Sequence, residues 1–69
     1  MMPTGKTIGA RLRKLRGTRT KAVVAKNLGC TPQAIALWES GDRVPRDAWK
    51  VKLAAYYKRS VAGIFYKEE

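Results

Sequence analysis

Start and stop signals for short helices recur along this chain, and they constrain its fold more than any other feature. Thr20 is a favourable N-cap, and Gly29 is a favourable terminator because glycine adopts positive φ without strain. Thr31-Pro32 supplies a second cap with proline at the first helical position, and Gly41 supplies a second stop. These signals predict one helix over about 21–28 and another over about 32–40.

Apolar residues at helical spacing predict three further helices around this pair. The residues expected to face inward are Ile8, Leu12 and Leu15 in the first helix, Trp49, Leu53 and Tyr56 in the fourth, and Val61, Ile64 and Phe65 in the fifth. Thr4 or Thr7 can cap the first helix, the fourth runs from Arg46 to about Tyr57, and Ser60 can cap the fifth. The sequence therefore predicts an all-α, compact five-helix domain spanning residues 1–69, with its core over about 6–66.

The charge of the chain favours a polyanionic partner. Fifteen Lys and Arg residues stand against five Asp and Glu, a formal net charge of +10, and no acidic residue precedes Glu39. Such a field attracts nucleic acid first and an anionic membrane surface second. A surface tuned only for solubility is the alternative, although solubility needs a net charge of only about 2 to 8.

Several classes of protein are disfavoured by composition. The chain has no histidine and a single cysteine, Cys30, so it cannot build a zinc site or an internal disulfide. We therefore expect no metal, no cofactor and no enzyme activity, and we interpret Cys30 as a small buried hydrophobe. No apolar run is long enough to span a bilayer and the first residues lack a secretory core, so we expect a cytoplasmic protein.

The second and third predicted helices have the residue spacing of a helix-turn-helix. Counting from Lys21, a small Ala25 is fifth, Gly29 ninth, Ile35 fifteenth and Trp38 eighteenth. Two helices that meet across a short turn need a small residue where their backbones touch and a turn residue that accepts positive φ. The two late apolar positions fix the third helix onto the first two. An ordinary helical hairpin within a bundle is the alternative interpretation.

Most of the chain resembles a known family of DNA-binding domains. The segments that carry the resemblance are RLRKLR, VAKNLGCTPQAIALWESGDRVP, KLAAYY and SVAGIF, within residues 8–66. They resemble the Cro and phage-repressor type of helix-turn-helix, also called xenobiotic-response-element-like or XRE, and Trp38-Glu39-x-Gly41 followed by Pro45 is the most specific part. The resemblance implies a lambda-repressor-like domain that binds operator DNA, usually as a homodimer, to regulate transcription.

The sequence departs from this family at two points. Its connection between the first two helices is roughly two residues shorter than usual, and Val23 stands where the family often has a carboxylate that completes a capping box. The resemblance also implies that Glu39 pairs with a cation of the first helix, here Arg16, with Lys14 or Arg13 as substitutes. A carboxylate at a helix C-terminus is poorly placed against the helix dipole, so it needs such a compensating cation.

The outward face of the third helix is expected to meet DNA. Residues expected to read bases in the major groove are Gln33, Ala36 and Leu37, with Thr31 and Pro32 at the amino-terminal tip. Residues expected to bind phosphate are Arg19, Thr20 and Lys21 before the turn, and Ser40, Arg43 and Arg46 after the recognition helix. Gln33 can make a bidentate contact with N6 and N7 of adenine, and Leu37 can contact thymine methyl groups.

We expect this domain to act as a homodimer on an inverted-repeat operator. The carboxy-terminal segment carries more apolar and aromatic residues than a short helical end needs, and Tyr57, Ile64 and Tyr66 are the candidates for the dimer interface. The most favoured function is a small Cro-like repressor. The antitoxin of a toxin–antitoxin pair, which would bind an unidentified protein partner and also repress its own operon, is the alternative.

Overall fold

The computed structural model describes residues 2–68, which form four α-helices and one short π-helical turn. The elements are α1 (Gly5–Arg16), α2 (Lys21–Leu28), α3 (Pro32–Ser40), α4 (Asp47–Tyr57) and a C-terminal π-helical turn (Ala62–Tyr66). Within residues 2–68 no β-strand is formed. The predicted all-α class and the order of five helical elements are confirmed.

Threonine caps and glycine stops set the helix boundaries. The hydroxyl groups of Thr4, Thr20 and Thr31 each accept a hydrogen bond of 3.1 Å from the backbone N–H three residues later. Each bond satisfies one of the N–H groups that a helix start leaves without an intrahelical partner. Gly29 and Gly41 end α2 and α3 with φ of 79° and 86°, in the left-handed region that favours glycine. Thr4, and not Thr7, therefore begins α1.

The core contains the apolar residues that helical spacing predicted, together with several others. Its fully buried members are Ile8, Leu12, Val24, Ala25, Ile35, Trp38, Leu53, Ala54, Tyr57, Ile64 and Phe65. Half-buried residues that pack against them are Leu15, Leu28, Cys30, Ala34, Trp49, Tyr56 and Val61. Pro45, in the loop after α3, is also buried, whereas Val44 and Arg46 on either side of it are exposed.

Two of the three residues predicted at a dimer interface lie instead in the chain's own core. Tyr57 is 7% exposed and Ile64 is 2% exposed, so neither offers an appreciable surface to a partner. The turn of α4 directs the Tyr57 ring inward, where it lies edge-on to Tyr56 at 5.1 Å between ring centroids. Burial is the main cause that raises the pKa of Tyr57 to about 12. Tyr66, at 42% exposed, is the remaining candidate.

Two cations hold the C-terminal turn against the helices. Arg11 of α1 donates hydrogen bonds to the backbone carbonyls of Ile64 (3.0 Å) and Lys67 (2.9 Å). Lys50 of α4 lies 3.0 Å from the Tyr66 hydroxyl, and this hydrogen bond is the main cause that raises the pKa of Lys50. The last turn is thereby fastened to both α1 and α4.

The backbones of α1 and the C-terminal end of α3 are in close contact. A methyl group on Gly9 would lie 2.7 Å from the Trp38 carbonyl oxygen and closer still to that of Glu39. A methyl group on Gly41 would lie 2.9 Å from backbone atoms of Lys6. Real Cβ atoms do not approach backbone this closely, so the two helices meet at this distance only because both positions are glycine.

An ion pair joins the same two helices about two turns of α1 beyond Gly9. Arg16 donates from Nε to Glu39 Oε2 at 2.7 Å and from Nη2 to Glu39 Oε1 at 3.0 Å, so the pair is bidentate. The two side chains are only 15% and 6% exposed. The hydrogen bond that Arg16 donates to Glu39 is the main cause that raises the pKa of Arg16, which therefore stays charged. The predicted partner is present, and the substitutes Lys14 and Arg13 are not used.

Gly9→Ala is expected to lower the free energy of unfolding by about 1–3 kcal/mol, as overpacking usually does. Alanine otherwise favours a helix by up to ~1 kcal/mol over glycine, so the sign of the change is diagnostic. Urea denaturation measures it. Ala10→Ser, which adds one atom at the exposed neighbouring position, is the control and should change stability by less than ~0.5 kcal/mol. A more stable Gly9→Ala protein would contradict the close contact.

Glu39→Gln is expected to destabilise the protein by about 1.5–3 kcal/mol, because the bidentate charged hydrogen bonds to Arg16 are lost in a largely buried site. Asp47→Asn is the matched control. Its carboxylate is 3.6 Å from Lys50 but 96% exposed, so the same chemical change should have an effect below ~0.5 kcal/mol. Equal effects of the two substitutions on thermal unfolding would show that the Arg16–Glu39 pair contributes no more to stability than an exposed ion pair does.

Candidate nucleic-acid interface

The turn between α2 and α3 is closed tightly by backbone hydrogen bonds. The N–H groups of Gly29 and Cys30 both donate to the Ala25 carbonyl at 2.9 Å. Ala25 is buried where the two helices meet, as its small size predicts. Cys30 is half-buried rather than fully buried, and burial raises the pKa of its thiol. The local geometry is that of a helix-turn-helix, with α3 as the second helix.

One side of α3 is in the core and the other side is open. Ile35 and Trp38 are buried, while Gln33 and the amino-terminal tip at Thr31 and Pro32 are exposed. Ala36 and Leu37 are partly exposed on the same outward side. Because α3 is fixed from behind by α1 and α2, its five predicted base-reading residues form a continuous outward surface.

A groove along α3 brings predicted base readers and predicted phosphate contacts together. Its lining residues are Thr31, Gln33, Ala34, Leu37, Trp38, Arg43, Val44, Arg46 and Trp49. Gln33 and Leu37 stand on the α3 side, and Arg43 and Arg46 come from the loop before α4. The Trp38 and Trp49 rings, 5.6 Å apart, join this loop region to α3.

The loop after α3 presents two arginines without partners. Its backbone is held by a 3.2 Å hydrogen bond from Arg43 N–H to the Leu37 carbonyl. The side chains of Arg43 and Arg46 are exposed, and among residues 2–68 neither has a hydrogen bond or ion pair. Ser40 differs, because its hydroxyl lies 2.9 Å from Asp42 Oδ2 and 3.1 Å from the Leu37 carbonyl. A phosphate would have to compete with those two acceptors for its proton.

The start of α2 offers a second cationic position. Thr20 caps the helix through its oxygen and Lys21 is exposed, with no ion pair to any of the residues from 2 to 68. The first turn of α2 contains no acidic residue, and neither does the first turn of α3. Exposed N–H groups and the positive end of the helix dipole add to the Lys21 charge, so an anion is favoured there.

Arg19 lies in a different environment from the other predicted phosphate contacts. Its Nε donates to the Arg16 carbonyl at 3.2 Å and its Nη2 donates to the Leu15 carbonyl at 2.9 Å. The guanidinium carbon is also 5.4 Å from the ring centroids of Tyr56 and Tyr57. This arginine therefore contacts both α1 and α4. No pattern in the sequence indicated these contacts.

The described residues offer neither a metal site nor a membrane span. No cluster of three or more potential metal ligands occurs among residues 2–68. In that part of the chain, no helix is both long enough and apolar enough to cross a membrane.

Comparisons with known proteins agree with this geometry. Residues 7–63 match the family model described as helix-turn-helix domain. The fold is similar to the solution structure of the SOS-response transcriptional repressor LexA from Eubacterium rectale, with a TM-score of 0.85, 20% identity, and coverage of 96% of this chain and 72% of that one. No curated protein sequence matches the chain significantly.

The same fold also occurs as part of a longer protein. The crystal structure of apo-HppE matches with a TM-score of 0.80 and 21% identity over 91% of this chain, which spans only 36% of that one. At these identities the two likenesses establish the fold. The family match covers most of the sequence and carries the assignment: this chain belongs to the helix-turn-helix family of DNA-binding domains, of the XRE type.

Proposed function

We propose that this chain is a sequence-specific transcriptional regulator of the Cro-like repressor kind, which places α3 in the major groove of an inverted-repeat operator. The observation that carries the proposal is the open face of α3, on which Gln33 and Leu37 stand beside two arginines whose side chains have no partner among residues 2–68. An α-helix fits the major groove, and base edges there distinguish all four base pairs. Binding, and not catalysis, is the function that this surface supports.

Base reading is assigned to the amino-terminal half and centre of α3. Gln33 is exposed and its amide can donate to N7 and accept from N6 of one adenine. Leu37, one helical turn later, and Ala36 beside it offer apolar contact to thymine methyl groups. Thr31 and Pro32 lie at the tip, where the oxygen of Thr31 is already occupied by its capping bond.

Phosphate binding is assigned to two positions on either side of α3. Thr20 and Lys21 lie at the start of α2, and Arg43 and Arg46 lie in the loop before α4. Phosphate contacts from these two pairs of residues would fix the register and orientation of α3 in the groove without reading the base sequence. Ser40 is a weaker member because Asp42 competes for its hydroxyl.

Pairing of two copies is proposed because one recognition helix reads only a few base pairs. A genome offers ~10⁶ or more competing sites, and two-fold pairing places two recognition helices about 34–36 Å apart, one turn of DNA. With Tyr57 and Ile64 buried, the exposed part of the Tyr66 ring is the carboxy-terminal feature that supports a contact between copies.

Binding to a mixed-sequence duplex should weaken steeply with salt, because log K falls by about 0.9 for each phosphate neutralised per log unit of salt. Lys21→Ala and Arg43→Ala should each reduce that slope by about 0.9. Each should also weaken binding to all DNA sequences by about the same factor. Fluorescence anisotropy over a salt series measures both quantities. Lys67→Ala, an exposed cation in the C-terminal segment, is the matched control and should leave the slope unchanged. A flat slope for the unsubstituted protein would rule out the DNA-binding proposal.

Gln33→Ala is expected to weaken binding to the cognate site by roughly 1–3 kcal/mol and to relax preference at one base pair. The site is first obtained by selecting bound duplexes from a random pool. Competition with single-base variants then shows which position has lost its preference. The same substitution should change the affinity for a non-cognate duplex only slightly. An equal loss of affinity for both duplexes would show that Gln33 does not read a base.

A dimer on the selected operator is expected, with weaker pairing in free solution. Sedimentation equilibrium with and without the duplex measures the stoichiometry. Tyr66→Ala should weaken pairing, whereas Val51→Ala, at an exposed apolar position of α4, should not. One protein molecule bound per full operator at saturation would be incompatible with the proposed assembly.

A further inference from the structure

We propose that Arg19 is a positioning residue that holds the start of α2 for DNA, and not a ligand of phosphate itself. This inference rests on the proposed function, because it assigns the binding surface at the start of α2 a mechanical support. It replaces the expectation that Arg19 binds the DNA backbone. The support is a reciprocal arrangement of two arginines, which we call the Arg16–Arg19 clasp.

Each arginine of the clasp donates to the backbone carbonyl of the other. Arg16 Nη1 donates to the Arg19 carbonyl at 2.7 Å, and Arg19 Nε donates to the Arg16 carbonyl at 3.2 Å. Arg19 Nη2 adds a bond of 2.9 Å to the Leu15 carbonyl. The Leu15 and Arg16 carbonyls belong to the last turn of α1, where carbonyls lack intrahelical partners and a cation is favoured by the helix dipole. Two guanidinium groups therefore close the short connection between α1 and α2.

Aromatic rings hold the Arg19 guanidinium from the other side. Its central carbon is 5.4 Å from the ring centroids of both Tyr56 and Tyr57, within the range of a cation–π contact. Tyr57 is buried in the core, so its ring is a fixed surface. The clasp thereby ties the connection to α4 as well as to α1.

The clasp is continuous with the recognition helix through Arg16. While Nη1 of Arg16 holds the Arg19 carbonyl, Nε and Nη2 hold the carboxylate of Glu39 at the end of α3. The residue after Arg19 is Thr20, the N-cap of α2. One guanidinium thus sets the spacing between the end of the base-reading helix and the start of the helix that carries Lys21. Phosphate contacts from both helices reach one DNA backbone only if that spacing is kept.

Turning the Arg19 guanidinium away to a phosphate would weaken this support. It would remove the bonds that Nε and Nη2 donate to the Arg16 and Leu15 carbonyls, and the contact with the two tyrosine rings. The Arg16 carbonyl would keep only its bond from the Arg19 backbone N–H. Lysine cannot replace it in the clasp, because a single ammonium lacks the planar fork that reaches two carbonyls while stacking on a ring. Lysine can, however, replace an arginine that serves phosphate only as a positive charge. The two roles therefore differ in their response to Arg19→Lys.

The first experiment is amide hydrogen exchange on free protein carrying Arg19→Lys or Arg19→Ala. The Val23 N–H bonds to Thr20 Oγ1, and the Ala34 N–H makes the same capping bond to Thr31 in α3, which serves as an internal control. We expect protection of Val23 relative to Ala34 to fall in both variants, on the order of tenfold, as for loss of one charged hydrogen bond. Unchanged protection of Val23, or an equal loss at both amides, would overturn the inference.

The second experiment measures binding of the same variants to a random-sequence 20-base-pair duplex at several salt concentrations. The clasp predicts that Arg19→Lys loses about as much affinity as Arg19→Ala. A lysine variant with the affinity and salt slope of the unsubstituted protein would show that Arg19 acts as a charge on phosphate, and would overturn the inference. Failure of the unsubstituted protein to bind any duplex would defeat the proposed function instead, while the exchange measurement would still decide whether the clasp positions α2.

Discussion

The contact between α1 and the C-terminal end of α3 is the constraint on which the rest of the structure depends. Gly9 lets the two backbones touch, and the bidentate Arg16–Glu39 pair fixes their angle about two turns further along α1. With its end fixed in this way, α3 can bury Ile35 and Trp38 and leave the opposite side open. A carboxylate in a strongly basic chain is therefore explained by the geometry of the recognition helix and needs no chemical role.

Seven of the fifteen positive charges of this chain fall into two groups that net charge cannot distinguish. Arg11, Arg16, Arg19 and Lys50 bind carbonyls, a carboxylate or a hydroxyl within the protein, and so hold its helices together. Lys21, Arg43 and Arg46 lie around α3, and among the described residues they have no such partner. The second group supplies the surface that we assign to DNA. The net charge of +10 therefore includes cations that stabilise the fold and cations that are exposed for binding.

Local signals in the sequence were sufficient for the helices and for the outward face of α3. Caps and glycine stops depend on a few neighbouring residues, which is why Thr20, Gly29, Thr31 and Gly41 predicted their boundaries. Contacts between distant segments were harder to predict. A glycine inside α1 is a weak signal of close packing, but nothing in the sequence indicates which backbone meets Gly9. Tyr57 and Ile64 were expected at a dimer interface but are buried, and the contacts of Arg19 within the protein were not predicted. The surroundings of all three residues come from the tertiary fold.

A nuclear magnetic resonance titration of the protein with a duplex of mixed sequence tests the central claim most directly. If α3 and its flanking cations form the DNA-binding surface, the amide shifts that change should cluster at residues 20–22, 31–37 and 40–46. Amides of the exposed side of α4, such as Val51 and Ala55, should keep their positions. Changes centred on α4 or on the C-terminal turn, with α3 unaffected, would contradict the account.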